Sequence, residues 1–186
     1  MRAFAKVSFA AVTLSMLVTA RATTLMRMSL AQLAQASQEI VRAKCVENNT
    51  TWDAGEIWTL TTFEVEETWR GSVSRKITVR LLGGRTAQFT SRVSGVPRFH
   101  PGEEVVLFLE RTTRGDYSVV SWQQGTFRIQ HVADSGEAAV TQDTAAFETL
   151  DPATHRFSAT RIRRMRITDF HTEVEAAVGN AAKSTR

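Results

Sequence analysis

The sequence predicts a mainly β protein: a small antiparallel β-barrel with a short N-terminal helix and a C-terminal helix. Runs rich in Thr, Val, Ile, Phe and Trp recur at roughly 10-residue spacing between residues 39 and 141, separated by turns that contain Gly, Asp or Ser. Their apolar residues alternate, or fill both faces, as the strands of a packed sheet do. Apolar residues at helical spacing occur in two stretches, near residues 29–37 and 168–178.

Residues 1–22 are predicted to be a secretory signal peptide that is not part of the barrel. The first six residues include two basic side chains, and the stretch VSFAAVTLSMLV that follows is twelve residues long. A transmembrane helix needs about 20 residues, so this stretch is too short to span a bilayer. Ala20-Arg21-Ala22 fits the small-x-small cleavage rule. We therefore expect cleavage after Ala22 and a secreted or periplasmic protein without a stable membrane span, with an uncleaved N-terminal anchor as the alternative.

Removal of the signal peptide changes the charge balance. The full chain of 186 residues has 23 Lys and Arg against 19 Asp and Glu. Residues 1–22 contain three of the basic side chains and no acidic one, which leaves 20 against 19 and a net charge of +1 in the mature chain. A nearly neutral protein offers little general attraction to nucleic acid.

The first elements are a short helix and two strands. In MSLAQLAQASQ, Ser29 can cap a helix and Gln32 can complete a capping box. Residues 39–47 alternate as a strand, and NNTTWDAG is predicted to be a turn. EIWTLTTFEVEETWRG then predicts a long strand. Its apolar residues change face between Leu60 and Phe63, which predicts a β-bulge of the kind that bends a sheet into a barrel.

The strands that follow differ in how clearly the sequence marks them. KITVRLL alternates, which directs Ile77, Val79 and Leu81 inward. EVVLFLE, at residues 104–110, is apolar on both faces and is therefore predicted to be central in the sheet. Further strands are predicted in RTAQFTSRV, YSVVSW and TFRIQHV and at residues 138–141, with turns at residues 114–116 and 134–136.

The composition changes after residue 150, so we divide the chain into a barrel domain at residues 23–150 and an Arg-rich linker with a C-terminal helix at residues 151–186. ITDFHTEVEAAV predicts the helix, with Gly179-Asn180 as its end. The linker contains Arg161, Arg163 and Arg164, which are candidates for contact with an anionic partner. The alternative is that the arginines of the linker pair with carboxylates of the barrel.

The loop RVSGVPRFHPGE, before the central strand, poses the main functional question of the sequence. Its two prolines restrict the backbone, and Phe99 stands between them, where it can plug the open end of a barrel. Arg98 is predicted to be exposed and available to a partner. His100 has no Cys, Asp or second His at a metal-ligand spacing, so we assign it no catalytic role. The loop is therefore interpreted as the turn that leads into the strand at residues 104–110, with Arg98 and Phe99 as candidate partner-binding residues.

The sequence contains no recognisable catalytic, metal or cofactor motif. The four histidines are scattered, and HExxH, CxxC, GxSxG, P-loop and GxGxxG patterns do not occur. Cys45 is the single cysteine, so no intrachain disulfide can form, and its place in an alternating strand predicts a buried thiol. We predict no cofactor, no metal and no enzymatic activity.

The strands EIVRAKCV, TFEVEETWRG and KITVRLLGG, followed by FHPGEEVVLFL, resemble the netrin-like, tissue-inhibitor-of-metalloproteinase type of OB-fold domain over about residues 39–130. The pattern is also similar to exported bacterial proteins of the same layout. The resemblance implies an OB-like barrel. It also implies protease inhibition through an N-terminal cysteine that chelates zinc, but the expected mature terminus is TTLMRM and the disulfides of that family are missing.

The function predicted from these observations is that of an exported non-enzymatic β-barrel protein that binds a protein of the envelope or secretome. One alternative is an exported hydrolase whose site is assembled from scattered residues. Another is an OB-type nucleic-acid binder, for which Trp58, Trp69 and Trp122 could provide stacking surfaces. The export signal and the near-neutral mature charge argue against the nucleic-acid alternative.

Overall fold

The computed structural model describes residues 26–131, 137–143, 149–158 and 164–184. The predicted signal peptide and the predicted turn at residues 134–136 lie outside these ranges. Two α-helices, twelve strands and one 3-10 helix occur within them. In chain order they are α1 (Leu30–Ala36), β1 (Glu39–Asp53), β2 (Glu56–Arg70), β3 (Lys76–Leu82), β4 (Gly84–Arg85), β5 (Thr90–Ser91), β6 (Glu104–Arg111), β7 (Tyr117–Val119), the 3-10 helix (Trp122–Gly125), β8 (Thr126–His131), β9 (Ala138–Gln142), β10 (Thr149–Asp151), β11 (Arg156–Ser158), β12 (Met165–Arg166) and α2 (Ile167–Ser184). The prediction of a mainly β chain with two helices is confirmed.

One large sheet of eight strands dominates the fold. Its order is β1-β2-β3-β7-β6-β8-β9-β12, and β1 also pairs with β6. All neighbouring strands run antiparallel except β3 and β7, which are parallel. The prediction of a purely antiparallel sheet was therefore wrong at this pair. Strand β7 follows β6 through a tight turn and pairs with β6 on one side and with β3 on the other. The pairing of β3 with β7 joins segments that are distant in the chain, so no local sequence pattern specifies it.

Strands β1 and β2 form a long hairpin of 15 residues on each side. Their turn consists of Ala54 and Gly55 alone, both at positive φ (51° and 85°), which suits the right-handed twist of a hairpin. The predicted turn began too early, because the NNTT segment is part of β1. The predicted bulge in β2 is confirmed, but it lies further along the strand, where Glu66 and Trp69 are the extra residues in the register.

The central position of β6 is confirmed. It pairs with β1, β7 and β8, and its residues 105–109 are completely buried. Alternate side chains of this strand enter two different hydrophobic clusters, because successive residues of a strand point to opposite faces. Val105, Leu107 and Leu109 belong to the cluster enclosed by β1, β2, β3 and β7. Val106 and Phe108 belong to the cluster on the other face, which both helices cover.

The helices pack against this second cluster. The capping box of α1 is confirmed: the Gln32 N–H donates to Ser29 Oγ at 3.2 Å, and the Ser29 N–H donates to Gln32 Oε1 at 2.8 Å. Helix α2 buries Phe170, whose ring lies 4.6 Å from that of Phe127. The predicted helix end at Gly179 was wrong, because Gly179 does not adopt the left-handed conformation of a C-cap and the helix continues to Ser184.

Two weaker strand predictions were also too long. RTAQFTSRV contains only the short strands β4 and β5, which form a separate two-stranded sheet around a turn in which the Thr86 N–H donates to the Phe89 carbonyl. YSVVSW is a strand only as far as Val119. Ser121 and Trp122 then adopt positive φ angles of 49° and 54°, which turn the chain out of the sheet and into the 3-10 helix.

Candidate functional site

The segment between β3 and β6, residues 83–103, carries the two loop residues that the sequence analysis selected. Arg98 is exposed, as predicted. Phe99 is only 5% exposed, and its ring meets the Phe63 ring edge-on with the centroids 5.0 Å apart. Phe99 is therefore a packing residue of the core. Arg164 is exposed just before β12, whereas Arg161 and Arg163 lie outside the described residues.

Hydrogen bonds to β1 hold this loop in place. The Asn48 side-chain amide donates to the Phe99 carbonyl at 2.8 Å, and Thr61 Oγ1 in turn donates to Asn48 Oδ1 at 2.6 Å. Further along, the Gly102 N–H donates to the Cys45 carbonyl and the Cys45 N–H donates to the Glu103 carbonyl, both at 2.8 Å. The loop thus continues the pairing of β6 with β1, and its position is fixed by polar contacts in addition to the buried Phe99.

A pocket of about 230 Å³ lies between this loop and the strands β2 and β3. Its floor carries the hydroxyls of Thr59 and Thr61 and the amide of Asn48. Arg85, Arg98 and His100 complete its polar lining. The remaining lining residues are Leu81, Leu82, Gly83, Gly84, Pro97 and Phe99. No Asp or Glu lines the pocket, so its charged groups are all basic. We call it the basic pocket.

The basic pocket owes its charge to an unusual stretch of sequence. Residues 83–102 contain Arg85, Arg92 and Arg98 but no acidic residue, in a chain whose two charge signs are otherwise nearly balanced. Within the described ranges, none of these three arginines forms an ion pair, and the guanidinium of Arg98 donates only to the Ser91 carbonyl at 3.3 Å. Most other arginines of the sheet do form ion pairs with carboxylates, namely Arg42, Arg75, Arg80, Arg111, Arg114 and Arg128.

His100 has a partner that the sequence analysis missed. Its Nδ1 lies 3.0 Å from Glu103 Oε1, and its backbone N–H donates to Glu103 Oε2 at 3.0 Å. The turn at Pro101-Gly102 brings the two residues together. Burial alone would raise the pKa of Glu103, but the hydrogen bonds from His100 and the charge of Arg128 outweigh it and hold that pKa below its usual value.

A second group of charges lies at the hairpin turn, around a pocket of about 270 Å³. Here Arg80 bridges Asp116 at 2.7 Å and Asp53 at 3.4 Å, and Arg114 also reaches Asp53, at 2.6 Å. The charges compensate one another, and the Arg80 guanidinium covers the ring of Trp58 at 5.4 Å. This network joins the β1–β2 turn to the β6–β7 turn and leaves less charge free for a ligand than the basic pocket does.

The other tryptophans that were considered as stacking surfaces are engaged within the protein. Trp69 stacks on His171 with ring centroids 4.3 Å apart, and its Nε1 donates to Glu67. Trp122 is half-buried against the first core cluster. In the part of the chain that the structure describes, these three tryptophans therefore do not form a row of free aromatic faces of the kind that single-stranded nucleic acid uses.

Cys45 is buried at 1% exposure, as predicted, and burial followed by the charge of Glu103 raises the pKa of its thiol to about 11. Among the residues that the structure describes, no group of three or more His, Cys, Asp or Glu side chains could hold a metal ion. None of the described helices combines the length and the apolar character that a bilayer crossing needs. Comparison with known proteins finds no matching family model and no similar curated protein.

Arg98 was predicted from the sequence as a candidate, whereas Arg85 and Arg92, which lie in the same acid-free segment, were not. Trp52 and Phe89, two aromatic residues that are 56% and 57% exposed, were not predicted either. The absence of Asp and Glu over residues 83–102 is a signal that a scan of local charge would have found. The proximity of Trp52 to Phe89 depends on two separate hairpins and leaves no such trace in the sequence.

Proposed function

We propose that this protein is an exported, non-enzymatic binding protein whose basic pocket holds an acidic group of a secreted or envelope protein. The observation that carries the proposal is the set of unpaired arginines in residues 83–102. Arg85 and Arg98 line a pocket that has no acidic side chain of its own, so a carboxylate from a partner meets two guanidinium groups without a competing internal anion.

The rest of the charge distribution supports a local site over general attraction to anions. Most of the other described arginines are matched by carboxylates at 2.6–3.6 Å, which offsets part of their charge. With an expected mature charge near +1, the protein as a whole has little long-range pull on a polyanion. A confined basic pocket on a nearly neutral surface favours a partner that offers a few carboxylates at defined positions.

The same proposal includes an OB-type barrel. The pairings β1-β2-β3-β7-β6 lead back to β1 through β6, and the parallel pair β3–β7 is compatible with a five-stranded Greek-key barrel of this kind. Phe99 and Phe63 would then fill one end of its interior. The netrin-like resemblance extends, in this proposal, to the fold only, because Cys45 is buried within β1 and has no access to the zinc of a protease.

Site-specific photo-cross-linking in the cells that export the protein tests the proposal. Benzoylphenylalanine at Ala87, an exposed position two residues from Arg85, keeps both pocket arginines. The control position is Lys76, which is exposed at the opposite end of β3, about 20 Å from Leu82. We expect an acidic protein to be captured from Ala87 and not from Lys76, and the Arg85→Ala/Arg98→Ala variant to lose that adduct.

Two results would contradict the proposal. Identical adducts from both positions, or an adduct that survives the double arginine variant, would mean that the basic pocket does not select the partner. A captured species that is sensitive to nuclease would favour the nucleic-acid alternative instead. Salt provides a further control, because contacts between exposed charges weaken as the ionic strength rises.

A further inference from the structure

A second pocket adjoins the basic pocket and is largely apolar. Its volume is about 240 Å³. Trp52, near the end of β1, and Phe89, just before β5, form its rim with ring centroids 5.7 Å apart. Its other lining residues are Gly55, Glu56, Ile57, Leu82, Ser91 and Val93. We call it the aromatic pocket. Two large aromatic side chains left more than half exposed at a concave site are typical of the anchor points of protein interfaces.

The two pockets lie on one face of the β1–β2 hairpin. Leu82 lines both of them. Asn48 is in the basic pocket and Trp52 is in the aromatic pocket, and side chains four residues apart on a strand share a face. At about 3.3 Å per residue, the two positions are about 13 Å apart. The strand register agrees with this placement. Asn48 pairs with Thr61, which also lines the basic pocket, and Trp52 pairs with Ile57, which also lines the aromatic pocket.

Gly84 crosses this face between the two pockets. A Cβ atom at this position would lie 2.5 Å from Thr59 Oγ1 and 2.9 Å from Thr50 Cγ2, so the backbone passes directly over the hairpin. Because Gly84 has no side chain, its backbone can lie directly on the hairpin, which keeps the segment that separates the two pockets low.

We propose that the two pockets together bind one extended peptide segment of the partner, with a carboxylate in the basic pocket and a bulky apolar side chain in the aromatic pocket, against Trp52 and Phe89. The inference rests on the proposed function and specifies its ligand. Four residues of extended chain span about 13 Å and return the side chain to the same face, so the segment carries its acidic and apolar residues four positions apart. The charge of the basic pocket and the apolar lining of its neighbour define both ends of the motif.

The geometry of the aromatic pair favours a compact apolar side chain over a flat ligand. The planes of the Trp52 and Phe89 rings are tilted by 51°, so they cannot both stack on one sugar ring or nucleobase. The two rings are in contact with each other at a centroid distance of 5.7 Å, so a Leu, Met or Phe side chain packs beside the pair, on the apolar lining of the pocket. Glu56 at the edge of the aromatic pocket also repels a chain that carries a negative charge at every unit.

Fluorescence anisotropy with synthetic peptides tests the inference. The probes are fluorescein-labelled Gly/Ser peptides of nine residues that contain one Glu and one Phe, four positions apart, in either order. Matched peptides replace Glu by Gln, replace Phe by Ala, or shorten the separation to three, which puts the two side chains on opposite faces. At constant ionic strength, we expect one of the two four-spaced orders to bind best and each replacement to weaken binding about tenfold.

Protein variants assign each contribution to its pocket. Arg85→Gln/Arg98→Gln should abolish the preference for Glu over Gln and keep the preference for Phe over Ala, Arg98→Gln alone should reduce the Glu preference, and Phe89→Ala should reduce the Phe preference and keep the Glu preference. All three side chains are exposed, and thermal melts would verify that the variants remain folded. A three-spaced peptide that binds as tightly as the four-spaced one, or a Phe preference that is unchanged in Phe89→Ala, would overturn the two-pocket inference.

The experiment separates this inference from the proposed function. If Glu is preferred over Gln through Arg98 but Phe makes no difference, the basic pocket stands and the two-pocket ligand is wrong. If the Glu and Gln peptides bind with equal affinity, or if neither binds, the basic pocket does not select a carboxylate and both proposals are wrong.

Discussion

Replacement of Phe99 by Ala tests whether the loop before β6 is held by its buried ring. Phe99 is 5% exposed and belongs to the first core cluster. The Phe63 ring meets it at 82°, and the Arg128 guanidinium lies 5.5 Å from its centroid. The Ala variant removes the whole ring and both of these contacts. The free energy of unfolding should fall because these packing contacts are lost.

The expected loss is about 3 kcal/mol. Phe→Ala substitutions in protein cores cost about 3–5 kcal/mol, of which an edge-to-face aromatic pair contributes about 0.5–1.5 kcal/mol. The lower end applies here because Phe99 lies on a loop, which can move into the vacated space more easily than a central strand can. The hydrogen bond from Asn48 to the Phe99 carbonyl does not depend on the side chain and should survive.

Urea unfolding followed by tryptophan fluorescence measures the loss, provided that the slope of the transition is unchanged. Phe89→Ala is the matched control, because it removes the same ring from a position that is 57% exposed; with the loss of its pair with Trp52 it should change the stability by no more than about 1 kcal/mol. A cost below about 1 kcal/mol for Phe99→Ala would refute the packing argument. An equal cost for both variants would show that the difference in burial does not decide the stability.

Three further predictions concern the thiol, the pH dependence and a buried amide. The raised pKa of Cys45, about 11 against 9.0, should lower its reaction rate with a thiol reagent at pH 8 by about 100-fold relative to the unfolded protein. The folded state holds the pKa of Glu103 below its ordinary value of 4.5. The ionised carboxylate therefore contributes its full stabilisation above pH 4.5, and this stabilisation is lost as the pH falls through the folded-state pKa. The urea midpoint of Glu103→Gln should decline less over that pH range than the midpoint of the unmodified protein. Gln124 is 2% exposed and accepts from the Met28 N–H while it donates to the Met26 carbonyl, so Gln124→Ala should cost about 1–3 kcal/mol in the same assay; an unchanged midpoint would contradict that role.

The features that the sequence predicted well are those specified by residues close together in the chain. The capping box of α1 needs only Ser29 and Gln32, three positions apart. The central position of β6 follows from its unbroken apolar run. A strand whose side chains are apolar on both faces must be covered by other elements on both faces. The inward residues of β3 follow from simple alternation. In each case the local signal and the global fold agree.

The features that the sequence did not predict depend on contacts between distant segments. The parallel pairing of β3 with β7 joins Val79 to Tyr117 and has no local signature. The NNTT segment has a turn-like composition, yet it extends β1 because residues 58–61 of β2 pair with it. Helix α2 passes through Gly179 because the helix is stabilised by packing on the core as well as by its own propensity. Tertiary contacts override local preference at each of these sites.

The candidate site was predictable in part for the same reason. Arg98 could be selected because the prolines around it mark an exposed loop. Its grouping with Arg85 in one pocket depends on the β4–β5 hairpin, which the sequence indicated only as one weak strand. The pairing of Trp52 with Phe89 depends on two hairpins that meet in space, 37 residues apart in the chain. Charge composition would have found the basic segment, but no sequence pattern would have found the aromatic pocket.

The loop before β6 is both a packing element and a binding surface, because its residues alternate between the two roles. Pro97 and Phe99 are buried, whereas Arg98 and His100 are exposed. The burial of the two flanking residues determines the direction in which the Arg98 side chain leaves the backbone. Phe99 therefore positions Arg98 without contacting a ligand, and the hydrogen bond from Asn48 ties the same backbone to the floor of the pocket. Phe99→Ala should therefore displace the Arg98 side chain and weaken peptide binding, even in the absence of urea, where the variant is fully folded. Arg98→Gln should weaken binding and leave the urea midpoint unchanged. If Phe99→Ala lowered the urea midpoint but bound the Glu peptide with unchanged affinity, the packing of the loop would not determine the orientation of Arg98.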